Sequence, residues 1–193
     1  VYSAAKNRNS SREKVANVIG KLLDAAKPGS DLQLQYARIF ASIAHTKEQG
    51  ARVRELLEGK LAGLVIDADF RWSLLISLVE RGLSSESEID AELERDNTLT
   101  GQLAHERCKA AFPNLEAKEA AFKKATENFE ISNWTRLSAI QGFARPLHRE
   151  FHEKFIDRYF ALILDIYNTK SYEDSSNIID LLFPTYVTTT QTL

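Results

Sequence analysis

Apolar residues recur at intervals of three and four along most of the chain, which predicts a series of amphipathic α-helices. The most apolar stretch is 66–83, IDADFRWSLLISLVERGL. At about 100° per residue it carries two adjacent apolar stripes: Trp72, Leu75, Ile76 and Val79, then Phe70, Leu74 and Leu78. A narrow polar strip remains, made by Ser73, Ser77, Glu80 and Arg81. We therefore expect this central helix to have neighbours on most of its sides.

Arg71 is a charged residue on the apolar side of the central helix. A guanidinium at that position requires a carboxylate or backbone carbonyls, because a buried charge without a partner is strongly unfavourable. Asp96, just before the connection TLTG, is the predicted partner; a ligand contact and no contact are the alternatives. Asp67 is the predicted N-cap of the helix. We predict that Trp72 and Trp134 are core residues, with a ligand platform as the alternative.

Capping residues, glycines and prolines divide the remainder into further helices. The first is predicted to bury Val15, Val18, Ile19 and Leu22, and Asp31 is the predicted cap of the second. The segment LAGLVID is predicted to be a packed loop, because no partner strand exists for it. The predicted helices besides the central one are 11–26, 31–45, 47–58, 85–95, one from Thr98 or Thr100 to 111, 115–128, one that begins at Ser132 and ends before Pro146, 147–167, and one from Ser171 or Tyr172 to 182.

This order of elements predicts an all-α fold, a right-handed superhelix of about ten antiparallel helices. Helix pairs recur at intervals in the thirties, which is typical of an α-solenoid of the HEAT or armadillo kind. We expect residues 1–193 to form a single helical domain, with 185–193 as a frayed tail.

Charge and composition exclude several classes of function. Lys and Arg number 25 against 27 for Asp and Glu, so the chain has no basic field for a nucleic acid. No apolar run reaches the length of a membrane span, and the single Cys108, predicted to be packed, suits a reducing compartment. We expect a cytoplasmic location without nucleic-acid or membrane partners. The start at Val1 and the lack of methionine predict a piece of a larger protein.

The candidate chemistry is sparse. His148 and His152 stand four apart in HREFHEKF, but the order of residues is not the H-E-x-x-H of a zinc peptidase. We predict that both histidines are solvated or capping, with partner contacts and a metal site as the alternatives. The acidic residues of 86–94 are predicted to form a solvated face. The sequence thus predicts no catalytic residue and no metal ligand.

Four segments, in this order, resemble the C-terminal helical domain of bacterial zinc aminopeptidases of the aminopeptidase N type. The same segments are more distantly similar to the cap of the endoplasmic-reticulum aminopeptidases. They are VIDADFRWSLLISLVERG, IDAELERDNTLTGQLAHERCKAAFPNLEAKEAAF, SNWTRLSAIQGFARP and DRYFALILDIYNTKSYEDSSNIIDLLFP.

The resemblance implies a non-catalytic cap that closes over the active site of a parent aminopeptidase and confines the peptide. Its partners would be the catalytic domain of the same polypeptide and the peptide substrate. Zinc would belong to that catalytic domain, and this segment would hold no cofactor. Helix pairing alone leaves a free-standing helical-repeat scaffold for a protein partner as the alternative. A small helical enzyme using His148, Glu150 and His152 is a third hypothesis.

Overall fold

The computed structural model describes residues 5–185, 187 and 192, and in these residues the regular structure is helical, with no strand. The all-helical class is therefore confirmed. None of the described helices combines the length and the apolar character of a bilayer span. The α-helices are α1 (Ala5–Ala25), α2 (Asp31–Ile43), α3 (Lys47–Leu57), α4 (Ala68–Val79), α5 (Glu86–Arg95), α6 (Leu99–Ala110), α7 (Leu115–Thr126), α8 (Asn133–Phe143), α9 (Arg149–His152), α10 (Ile156–Thr169) and α11 (Tyr172–Leu182).

The chain divides into two compact units, Val1–Asp96 (unit 1) and Asn97–Leu193 (unit 2). In unit 1, α1 packs against α2 and α3 packs against α4, and in unit 2, α6 and α7 pack against α8 and α10 packs against α11. The right-handed superhelix over the whole chain stays a prediction. Of the predicted tail 185–193, residues 186, 188–191 and 193 lie outside the described residues.

Side-chain caps begin most of the helices. Thr98, Asn114, Ser132 and Ser171 each accept a hydrogen bond from the backbone N–H three residues later. This confirms the predicted caps Asn114 and Ser132, and it selects Thr98 over Thr100 and Ser171 over Tyr172. For α2 the predicted cap Asp31 is wrong. Ser30 has the extended backbone of an N-cap, and its hydroxyl accepts from the N–H of Gln33 at 3.2 Å.

The buried face of α1 differs from the prediction. Val15, Val18 and Leu22 are exposed, whereas Ala16 and Leu23 are buried. The reason is close packing against α2: a Cβ on Gly20 would lie 3.3 Å from the ring of Phe40. The contact face therefore follows the small residues of α1, and its large apolar residues lie beside that face.

The predicted polar strip of α4 is mostly buried. Ser77 and Glu80 are buried, and only Ser73 of the four residues is exposed. The Ser77 hydroxyl donates to the carbonyl of Ala41 on α2 at 2.6 Å. The Arg81 guanidinium pairs with Glu80 at 2.8 Å and donates to Ser77 Oγ at 2.9 Å. Because these polar groups are hydrogen-bonded, α4 can be buried on this side as well.

The predicted long helix 147–167 is broken. A 3₁₀ turn at Pro146–His148, the short α9 and a second 3₁₀ turn at Glu153–Phe155 precede α10. His148, His152 and Phe155 are all buried in this broken segment. Trp134 also departs from its predicted core position, because it is 66% exposed. It lies six residues from the buried Ile140, about 120° around α8.

Candidate functional site

A cavity of about 450 Å³ in unit 2 is the candidate functional site. Its lining comes from α6, α7, α8, the bend, α10, α11 and the segment that follows α11. Most lining side chains are apolar, including Phe122, Ile140, Phe143, Phe155, Ile156 and Leu182. The charged lining residues among those described are Arg107, Arg145 and Asp180.

Arg107 extends from α6 to the wall of the cavity. Its Nε is buried and has no hydrogen-bond acceptor in the described part of the chain. Burial lowers the pKa of Arg107, and the positive charge of Arg145 lowers it further, against the raising effect of Cys108. Because arginine stays protonated in proteins, the cavity wall contains a partly desolvated cation.

Three aromatic rings pack together in the apolar wall of the cavity. Phe143 meets Phe155 edge to face with the ring centroids 5.0 Å apart, and Phe122 lies 5.0 Å from Phe155. The imidazole of His152 stacks on Phe143, with the centroids 5.1 Å apart. Its Nε2 donates to the Phe143 carbonyl at 2.9 Å. These contacts fix the apolar wall in one arrangement.

Tyr159 closes the wall on the side of α11. Its hydroxyl donates to the carbonyl of Ile179 at 2.7 Å. Burial, with a smaller contribution from the Asp180 carboxylate, raises the pKa of Tyr159 to about 12. The phenol therefore stays protonated at neutral pH and acts as a structural donor.

His152 should make the stability of unit 2 depend on pH. Burial lowers the pKa of His152, Lys118 lowers it further, and the Phe143 carbonyl and Glu150 raise it. In the unfolded chain the pKa of the imidazole is about 6.5. Since the unfolded state then binds more protons than the folded state, we expect the free energy of unfolding to fall as pH decreases through that value.

Chemical denaturation of unit 2 at a series of pH values between about 5 and 8 measures this slope. The His152→Gln variant keeps an N–H that can donate to Phe143 but has no titrating ring, so its slope should be smaller. Equal slopes for the two proteins would contradict the assignment. His45 also has a pKa lowered by burial, but it lies in unit 1, so following unit 2 separates the two.

The sequence-predicted site residues lie together at the contact of α4 with α5. Arg71 pairs with Glu92, through Nε to Oε1 at 2.8 Å and Nη2 to Oε2 at 2.7 Å. The predicted partner Asp96 instead accepts from Nε1 of Trp72 at 2.8 Å. Asp67 accepts from the N–H of Phe70 at 2.7 Å and caps α4, as predicted.

The prediction of a solvated acidic face is wrong, and the prediction of solvated or capping histidines is wrong only in its first alternative. Glu92 is buried and Glu88 is half-buried against Arg54, so the acidic residues of α5 do not form a uniformly solvated face. His148 and His152 are buried and not solvated, but Nε2 of His152 donates to the carbonyl of Phe143, the last residue of α8, as a capping side chain does. The described residues contain no cluster of three or more His, Cys, Asp or Glu side chains that could hold a metal ion. Cys108 is buried, as predicted.

Sequence reasoning did not single out Arg107 or Arg145 as binding residues. Arg145 was visible only as part of the GFARP element, and Arg107 as one charge in a helical pattern. The helical Gly142 is the local signal that was available, because a Cβ there would press on the backbone oxygen of Arg107. A glycine inside a helix often marks close approach of a second backbone.

Comparison with known proteins agrees with the resemblance seen in the sequence. An aminopeptidase N of Streptomyces lividans is 35% identical over 173 residues, which cover 89% of this chain and 20% of the relative. The chain thus spans about a fifth of the length of that curated relative. The family described as ERAP1-like C-terminal domain matches residues 1–193. The chain belongs to the family of ERAP1-like C-terminal domains.

Proposed function

We propose that this chain is the non-catalytic C-terminal cap of a bacterial, cytoplasmic, zinc-dependent aminopeptidase that removes N-terminal residues from peptides. The observation that carries the proposal is the family match across residues 1–193, together with the aminopeptidase N relative. In this proposal the catalytic domain of the same polypeptide is the partner, and the cap closes over its active site and confines the peptide.

The described residues do not fit a zinc site of their own. They contain no group of three or more ligating side chains, and Nε2 of His152 is used by the Phe143 carbonyl. Zinc in the proposal therefore belongs to the catalytic domain, and no chemical step is assigned to this chain. The role left for this chain is physical: it would bind and orient the peptide and restrict water.

The structure supports that role through a firm scaffold. In unit 1, α4 is buried on nearly all sides and is tied to α5 through Arg71 and Trp72. In unit 2, Lys118 is fully buried, and its Nζ donates to the carbonyls of Ala110 at 2.7 Å and Gly142 at 3.2 Å. This contact joins the C-terminal ends of α6 and α8. Such rigid elements suit a wall against which a flexible peptide is held.

The test compares the full-length parent enzyme with the same enzyme lacking this chain. We expect the truncated enzyme to lose its dependence of kcat/KM on peptide length, while a one-residue aminoacyl reporter, too short to reach the cap, changes less. The isolated chain should hydrolyse neither substrate. An unchanged length dependence after truncation, or hydrolysis by the isolated chain, would overturn the proposal.

A further inference from the structure

We propose that one apolar face of the first helix pair, α1 and α2, is a docking surface for another helix pair of the same polypeptide. The docking pair would come from the part of the parent protein that precedes α1. This outer face is formed by Val15, Val18 and Leu22 of α1 and by Leu32, Tyr36, Ile39 and Ile43 of α2. The inference rests on the chain being part of a larger aminopeptidase polypeptide, and not on its proposed role as a cap.

The outer face is largely exposed although it is apolar. Val18 is 57% exposed and Leu32 is 60% exposed, and Val15, Leu22 and Ile39 are exposed as well. In each helix the residues of this face are three or four positions apart, so they form a continuous stripe along one side. Stripes with this spacing pack against a neighbouring helix that runs nearly parallel or antiparallel. A contiguous exposed apolar surface of this kind marks an interaction site.

The stripe of α1 lies on the side of the helix that faces away from α3. Asn17 and Asp24 of α1 each accept a hydrogen bond from a side chain of α3, at 2.9 and 2.7 Å. Val15 and Leu22 lie about 140–180° around the helix from those two residues, at 100° per residue. The contact with α3 therefore leaves the stripe of α1 uncovered.

The stripe of α2 likewise lies away from α4. The guanidinium of Arg38 on α2 lies over the ring of Phe70 on α4, 4.8 Å from its centroid. Leu32 and Ile43 lie about 120–140° around α2 from Arg38. Because α3 packs against α4, both stripes are on the side of the α1–α2 pair that faces away from α3 and α4. The pair is covered on one side and is apolar on the other.

The order of the helices identifies the part of the polypeptide that would cover this face. In a stack of helix pairs, each pair contacts the pairs before and after it in the chain. The helices that follow α2 in the chain already occupy one side of the α1–α2 pair. The opposite side therefore suits helices that precede α1. This chain covers 20% of the aminopeptidase N relative, so a parent of similar length has further polypeptide to supply them.

The charges beside the stripe of α1 specify the chemistry of the docking helices. Lys14 and Lys21 are exposed and stand seven residues apart on the border of the stripe next to Val18. A helix that packs on the stripe would place the residues at its own border opposite these two cations. We therefore expect an amphipathic helix with an apolar stripe that has acidic residues along one edge.

Carbene footprinting read by mass spectrometry tests the proposal in the full-length parent enzyme, because carbenes label side chains according to their accessible surface. We expect Val18, Leu32 and Ile39 to be labelled about five- to tenfold less in the parent than in the 193-residue chain, since side chains at the core of an interface lose most of their accessible surface. Val65 is 80% exposed and lies outside both stripes, so it is the internal control and should be labelled alike in both proteins.

The Val18→Glu variant tests whether the outer face itself holds the docking helices. In the parent it should restore the labelling of Val15 and Leu32 to the level of the 193-residue chain, because a carboxylate is unfavourable in an apolar interface. In the 193-residue chain position 18 is exposed, so the helix content and unfolding midpoint of this variant should match those of the wild type. The matched control, Val65→Glu in the parent, should leave the outer face protected.

Sedimentation of the wild-type parent during the same experiment identifies what covers the face. Protection of the outer face in a monomeric parent supports the proposal. Protection that disappears when a dimer is diluted to monomers would make the covering element a second copy, and labelling as strong as in the 193-residue chain would show that nothing covers the face. Either of these results would overturn the proposal. Because no readout involves hydrolysis, a failed test of cap function would leave this test unaffected.

Discussion

The Arg71→Ala variant is expected to lose about 3–5 kcal/mol from the free energy of unfolding of unit 1. The guanidinium makes two hydrogen bonds to Glu92, whose side chain is only 8% exposed, and a third to the carbonyl of Leu57 at 3.3 Å. Removing it leaves the Glu92 carboxylate buried without its cation. The loss is therefore mainly the cost of an uncompensated buried charge.

Urea denaturation followed by tryptophan fluorescence measures this loss. Trp72 is 4% exposed and lies in unit 1, whereas Trp134 is exposed and lies in unit 2. In a Trp134→Phe background the emission therefore reports unit 1 alone. The Lys60→Ala variant, which breaks an exposed ion pair with Glu58, serves as the control and should show no measurable change.

Two further variants separate the ion pair from simple loss of packing. Arg71→Lys keeps the charge but loses the two parallel hydrogen bonds, so its loss should be smaller than that of Arg71→Ala. The double variant Arg71→Met with Glu92→Leu should regain most of the stability, because it removes both desolvated charges at once. An unfolding midpoint that stays unchanged in Arg71→Ala would contradict the assignment.

Helix ends could be predicted from the sequence because capping chemistry is local. Asn114 and Ser132 begin helices in the structure as they do in the sequence pattern, and Thr98 and Ser171 begin helices at one of the two positions that the pattern allowed. Each cap depends only on a side chain and an N–H group three residues away. Those caps can therefore be predicted without knowing which helices pack together.

The buried face of a helix was harder to predict, because it is not always the face that carries the largest apolar residues. In α1 the contact with α2 follows Ala16 and Gly20, since small side chains let two backbones approach. An interpretation based on helical periodicity gives large apolar residues such as Val15 and Val18 more weight than alanine or glycine. It therefore predicted the wrong buried face for α1. The breaks after Pro146 and at Glu153–Phe155 were missed because the residues of this segment keep helical spacing.

The need of Arg71 for a partner could be derived from the sequence, but the choice of partner could not. Glu92 lies in α5, and Asp96 is the residue that directly follows α5, four positions later. Two neighbouring residues of α4 donate to these carboxylates: Arg71 donates to Glu92, and Trp72 donates to Asp96. The cavity needs still longer-range information, because Arg107 and Arg145 meet only after α6 and α8 have packed.

Gly142→Ala is expected to cost about 3 kcal/mol in the free energy of unfolding of unit 2, the upper end of the usual penalty for overpacking. The new Cβ would collide with the backbone oxygen of Arg107 and lie 2.6 Å from Cβ of Ala110. Backbone cannot turn aside as a flexible side chain does, so α6 and α8 must separate. That separation would also lengthen the hydrogen bonds from Lys118 that join the two helices.

Thermal unfolding by circular dichroism, with hydrogen exchange on peptides from α6 and α8, measures this effect. Gly20→Ala is the matched control, because that glycine also lies within a helix but its Cβ would meet only the ring of Phe40, which can shift. In an unstrained helix, Gly to Ala stabilises by up to about 1 kcal/mol, so a small change of either sign is expected there. Faster exchange in α6 and α8 of Gly142→Ala is the specific signature. Equal melting temperatures for Gly142→Ala and the wild type would show that these helices are not in close contact.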